Sequence, residues 1–299
     1  MKELITLTAC LIFLTTYCFS QNFEKQFNDF AKLKDTVKQA TILKQWKEKQ
    51  PQDPELVLAQ FNYYLNKTSL RQEEKSELID ATEFNRRNKL EEEPTALETL
   101  RKSDSAFLDK AFQVISDGIV LFPKRLDFRI AKINALKELK KYEDFTNETI
   151  QTVIYSGKIN NKWVGKTTIK AYNPGKDFFT SIDNIISTLM MEYGLFGDKN
   201  LLQHIKMLTD VTLKYYPNDI TSLTNAAAYN FNIKNYDEAL KYYLRVEKLQ
   251  PENTITLFNI ALIYKHKNDM VNAKVYYEKI VRYAPKEEAE YAKEKIGIL

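Results

Sequence analysis

Residues 217–251 read PNDITSLTNAAAYNFNIKNYDEALKYYLRVEKLQP, and residues 251–285 read PENTITLFNIALIYKHKNDMVNAKVYYEKIVRYAP. Pro217, Pro251 and Pro285 recur every 34 residues. Aligned on the prolines, the blocks pair Leu223 with Leu257, Asn225 with Asn259, and Ala227 with Ala261. They also pair Ala239 with Ala273, Tyr242 with Tyr276, and Tyr243 with Tyr277. A fixed period of this length is the mark of a stacked supersecondary unit. The chemistry describes two antiparallel helices. Ala227 and Ala261 on the first helix, and Ala239 and Ala273 on the second, allow close approach, while Tyr243 and Tyr277 reach toward the next unit. Each proline stops the second helix, because it lacks the amide hydrogen and its ring clashes with the preceding turn.

This pattern resembles the tetratricopeptide repeat family, in which bulky, small and aromatic residues fall at these offsets. Leu257, Ile260, Ala261, Tyr264, Ala273, Tyr277 and Pro285 follow it closely. The first block departs from it at Ala226, where Leu is usual, and at Asn230, where Tyr is common. The resemblance implies an all-α, right-handed solenoid of helical hairpins whose first helices line a concave groove. The groove positions of the first repeat would be Thr221, Thr224, Asn225, Ala228, Phe231 and Asn232. Those of the second would be Ile255, Phe258, Asn259, Leu262, Lys265 and His266. Asn225 and Asn259 lie one repeat apart, so their amides can bond the backbone of an extended peptide; the plainer reading is that they satisfy neighbouring helix ends. The family's clamp for a terminal carboxylate needs Lys and Asn where this chain has Thr224 and Ala228, so that mode is not expected.

Working outward, the helical pattern continues in weaker form. Val37, Ile42, Leu43 and Trp46 make a stripe closed by Pro51 and Pro54, placing Trp46 in a core. Phe107 to Ile119 is apolar-periodic and ends at Phe122-Pro123, and Leu126 to Leu139 forms the next helix. Phe178–Phe196 and Leu201–Tyr216 read as a pair turning at Gly194 and Gly197. The expected organisation is a signal at 1–20, helices over 21–67, a charged excursion at 68–105, and divergent repeat helices at 106–157. An insert loop at 158–176, a divergent pair at 177–217, the two well-formed repeats at 218–285 and a capping helix at 286–299 complete it. The insert carries Trp163 and Tyr172, candidate contacts for a partner, although a tryptophan there more often pins an insert to its own scaffold.

The 299 residues include only 7 Gly and 8 Pro, which favours helices over turn-rich β folds. A formal charge of +4 does not predict a nucleic-acid partner. Met1-Lys2, the apolar run Leu4–Phe19 and Cys18-Phe19-Ser20 predict a signal peptide cleaved after Ser20. The run is too short for a permanent span, so no stable membrane insertion is expected after cleavage. The periplasm is the expected destination, with the extracellular space as the alternative. Both cysteines, Cys10 and Cys18, fall in the signal, leaving the mature chain without thiol chemistry.

Motifs for catalysis are sparse. His204 and His266 lie on separate helix pairs without cysteine partners. Gly165-Lys166-Thr167 lacks the earlier glycine of a phosphate loop, since position 160 is Asn160. Asp237-Glu238 and Glu287-Glu288 fit solvated helix starts. No Gly-x-Ser-x-Gly occurs. The expectation is a non-catalytic scaffold without cofactor or metal that binds a protein or peptide through its groove. The rival is an enzyme or glycan-binding protein with its site in the 158–176 insert.

Overall fold

A computed structural model describes residues 22–68, 95–165 and 174–298; among them there are helices and no β-strand. The chain divides into two compact units, Met1–Phe128 and Arg129–Leu299. The expected signal, the charged stretch 69–94 and Tyr172 lie outside the described residues.

The first unit contains α1 (22–32), α2 (Thr36–Lys49), α3 (54–68) and α4 (Thr95–Leu121). Helix α4 begins inside the expected excursion, so its last residues are helical. The unit's boundary falls within α5 (Leu126–Glu138). Trp46 is fully buried, as its stripe predicts, among Phe23, Phe27, Ile42, Leu43, Leu56 and Ala59. Its ring stacks on Phe23 at 6.0 Å, and its indole nitrogen donates to Asp53 Oδ2 at 2.9 Å. The buried polar end of the ring is thus satisfied, as a core tryptophan requires.

The second unit continues through α6 (Tyr142–Lys158), α7 (Pro174–Phe196) and α8 (Lys199–Tyr215). It ends with α9 (Ile220–Asn232), α10 (Tyr236–Leu249), α11 (Thr254–His266), α12 (Met270–Tyr283) and α13 (Lys286–Ile298). From α7 onward each helix packs on the next, which is how a solenoid is built. Asp219, Asn253 and Asp269 start their helices by accepting a backbone N–H with a side-chain oxygen. Ala227, Ala239, Ala261 and Ala273 are all fully covered, and the first three share one core cluster with Leu257, Ile260 and Tyr277. Burial pushes the Tyr243 hydroxyl up to about 12. Between α10 and α12, Glu247 accepts from the Tyr276 hydroxyl at 2.9 Å and from Lys279 at 2.6 Å.

One turn recurs where the sequence similarity has faded. Lys34, Lys140, Lys234 and Asn268 all have φ between 52° and 61°. At each, the following residue's N–H reaches five residues back: Asp35 to Phe30, Lys141 to Leu136, Asn235 to Asn230, and Asp269 to Tyr264. This is the left-handed helix stop that closes a helix onto its successor. The pairs α1–α2 and α5–α6 therefore share the joint of the two clear repeats. Two expectations need correction. Gly194 lies inside α7, and only Gly197, at φ 66°, makes the turn. The insert's tail is helical from Pro174.

Candidate functional site

Helices α9, α11 and α13 form one layer of the second unit. Phe231 on α9 meets His266 on α11 at 5.4 Å, and Phe258 on α11 meets Tyr291 on α13 at 6.0 Å. The layer's inner side is consumed by packing: Leu223, Ala227, Leu257 and Ala261 are completely covered. Its other side is not. Thr221, Thr224, Asn225, Ala228 and Phe231 on α9 are half-buried, and Asn232 is exposed. On α11, Phe258, Asn259 and Leu262 are half-buried, whereas Ile255, Lys265 and His266 are exposed. Residues spaced by three and four share one helix face, so these twelve positions form the surface the repeat register implies.

Their roles differ. Asn232 donates to its own helix at the Ala228 carbonyl, 2.8 Å away, which satisfies it locally. His266 stacks on Tyr236 at 5.2 Å and meets Phe231 edge-on, so it closes one end of the face as part of an aromatic group. The Asn225 Nδ2 is buried and has no partner among the described residues. An orphaned amide donor of this kind is costly unless something outside the chain accepts from it. Asp183 on α7 lies beside Thr221, and its carboxyl is pushed up to about 6, first by burial and then by the nearby Asp219.

At the other end of the face is a cleft of about 400 Å³ lined by Thr254, Ile255, Phe258, Ile280, Glu287, Glu288, Tyr291 and Ala292. Ile255 is 71% exposed and Tyr291 46% exposed at its walls. Glu288 Oε2 accepts from the Thr254 hydroxyl at 3.0 Å, which links α13 to α11. Ile255 and Phe258 are among the positions expected from the repeat. The α13 residues are not, because this helix reads as a cap. The signal for them was the third proline: Tyr291 and Ala292 stand 34 residues after Leu257 and Phe258, where another first helix would run.

Trp163 is not available to a partner. It is 6% exposed, stacks on Phe178 at 5.9 Å, and donates to Ser156 Oγ at 3.1 Å. The Arg129 guanidinium lies over both Tyr155 and Trp163 and pairs with Glu148 at 3.7 Å. An indole amid other aromatic rings gains more from burial than from solvent, so Trp163 anchors the segment after α6 onto its own unit.

The tetratricopeptide repeat model matches residues 220–253 and 256–287, so α9–α10 and α11–α12 are two tetratricopeptide repeats. No curated protein matches the chain. Similar solved structures include Pseudomonas aeruginosa pilF, at 11% identity and TM-score 0.38, covering 92% of this chain and 96% of that one. A tetratricopeptide repeat protein from Parabacteroides merdae is 14% identical at TM-score 0.35, covering 93% and 85%. The TPR2AB domain of yeast Sti1, solved in complex with pHSP90, is 15% identical at TM-score 0.33, covering 93% and 95%.

Proposed function

We propose that this protein is an exported, non-catalytic scaffold that binds a polypeptide segment along the α9–α11–α13 face. The observation that carries the reading is the Asn225 Nδ2, a buried donor without a partner among the described residues, on a residue of the half-buried α9 face, where a small side-chain rotation would bring it to a bound chain. Stacked repeats of this type use such a surface for binding. An extended peptide supplies a carbonyl at every residue, which is the acceptor this amide lacks. Asn259 presents a second amide one repeat further along. Export rests on the amino-terminal signal pattern, with the periplasm as the destination. The rival reading, an enzymatic or glycan site in the 158–176 insert, is weakened by the burial of Trp163.

Titrating a bound peptide against the Asn225→Ala, Asn259→Ala double variant tests the reading. One neutral hydrogen bond is worth about 0.5–1.5 kcal/mol, so losing both should weaken affinity by about fivefold to some tens of fold. The loss should be similar for peptides of different sequence, because backbone bonds carry no side-chain information. Unchanged affinity would move the site off this face.

A further inference from the structure

The cleft between α11 and α13 has an asymmetry that the repeats alone do not imply. Its walls are apolar at Ile255, Phe258, Ile280 and Tyr291, and among the described residues that line it Glu287 and Glu288 are the ionised groups. Two carboxylates at a helix start have an ordinary explanation in the helix dipole. Glu288 goes beyond it. Its carboxylate reaches across to α11, where the Thr254 hydroxyl holds it at 3.0 Å. The acidic rim is therefore positioned at the mouth of the apolar cleft. The nearby Lys295 lies over the Tyr291 ring at 4.6 Å but is not one of the cleft's walls.

We infer that the α11–α13 cleft seats an apolar side chain of the bound polypeptide that is flanked in its own sequence by lysine or arginine. This deepens the peptide-binding reading and rests on it. Ile255, Phe258 and Tyr291 provide the apolar contact area, and leaving Ile255 71% exposed in the free protein favours an occupant that covers it. The glutamates select the flank by charge. A cation beside the anchor pairs with Glu287 or Glu288, whereas an acidic flank is repelled. Half-exposed pairs of this kind are individually modest, so the selection comes from two carboxylates acting together.

The probes are three acetylated, amidated peptides: a leucine flanked on each side by two lysines, the same leucine flanked by glutamates, and a glycine flanked by lysines. Binding is read by fluorescence anisotropy at low and moderate salt. The lysine-flanked leucine should bind best, exceeding each of the others by about fivefold or more, with the advantage over the glutamate peptide shrinking as salt rises. The Glu287→Gln, Glu288→Gln double variant keeps an acceptor for Thr254 and should erase most of that advantage without changing the melting temperature. Ile255→Ser, at an exposed position, should erase the preference for leucine over glycine. Equal binding of the lysine and glutamate peptides, no response to the glutamine variant, or no binding of any peptide would each overturn the inference. Asn225 and Asn259 lie outside the cleft, so the amide double variant still reads polypeptide binding by this face if the cleft preference fails.

Discussion

A Cβ added to Gly157 would stand 2.1 Å from Cδ1 of Tyr215, so α6 and α8 meet at a point where only glycine fits. The neighbour is the inner part of a ring and cannot swing aside as the end of a flexible chain would. In a free helix Ala outperforms Gly by about 1 kcal/mol. Here the clash should win, and Gly157→Ala should destabilise by about 1–3 kcal/mol. Gly194, within α7, has open space at its Cβ position. Gly194→Ala should follow propensity and stabilise by up to about 1 kcal/mol. Chemical denaturation of both variants checks the opposite signs, and a stabilising Gly157→Ala would refute the contact.

Ala261 and Ala228 offer a second contrast. Ala261 is fully covered in the core that also holds Ala273, while Ala228 is half-buried on the proposed binding face. Ala261→Leu should overpack the helix pair and cost about 1–3 kcal/mol. Ala228→Leu should cost clearly less. Equal melting temperatures would mean that the repeat register is wrong.

The recurring left-handed turn predicts a stabilising substitution. Lys234 sits at φ 61°, a conformation that costs a residue with a Cβ about 1–2 kcal/mol and costs glycine little. Glycine gives part of this back through its larger unfolded-state freedom. Lys234→Gly should therefore raise stability by about 0.5–1 kcal/mol, whereas Lys241→Gly within α10 should lower it by about 1 kcal/mol. Thermal denaturation distinguishes the two, and a destabilising Lys234→Gly would show that the lysine side chain contributes more than the turn costs it.

Asp183 predicts a pH dependence with a definite sign. Its carboxyl titrates near 3.8 when solvated and is pushed up to about 6 in the fold, first by burial and then by Asp219. Between those values the folded state holds the proton more tightly than the unfolded state. This contribution to stability is therefore present below about pH 4, falls as pH rises to about 6, and is flat above. Asp183→Asn should flatten that slope and stabilise the protein at pH 7 by about 1 kcal/mol, a value reduced for solvent screening of a half-buried group. Urea midpoints across pH 4–7 provide the measurement, and an unchanged slope in the variant would exclude Asp183 as its source.

The repeat was legible because small residues and prolines at a fixed period leave little freedom in how helices pair. That reading extended to the burial of Ala227, Ala239, Ala261 and Ala273 and to the exposed sides of α9 and α11. Features that depend on a distant partner were not legible. Gly157 looks like any helical glycine until Tyr215 is packed against it, and Asp183 looks like a surface acid until α9 brings Thr221 and Asp219 to it. Trp163 read as a candidate contact because its sequence neighbours are polar, but the rings that bury it come from α6 and α7. Helix α13 read as a cap because it follows the third proline, where a solenoid needs a helix to shield its last repeat. Tyr291 and Ala292 suffice for its side of the cleft, since Ile255 and Phe258 supply the rest.

The central claim, polypeptide binding on the α9–α11–α13 face, is tested most directly by site-resolved photo-cross-linking. A benzophenone amino acid placed at Leu262, half-buried on that face, is compared with one at Val271, which is 77% exposed on α12. After irradiation of cells that produce the protein, adducts are identified by mass spectrometry. The account predicts a discrete polypeptide adduct from position 262, lost in the Asn225→Ala, Asn259→Ala background, and none from position 271. Adducts from position 271 alone, or adducts from 262 indifferent to the two amides, would contradict it.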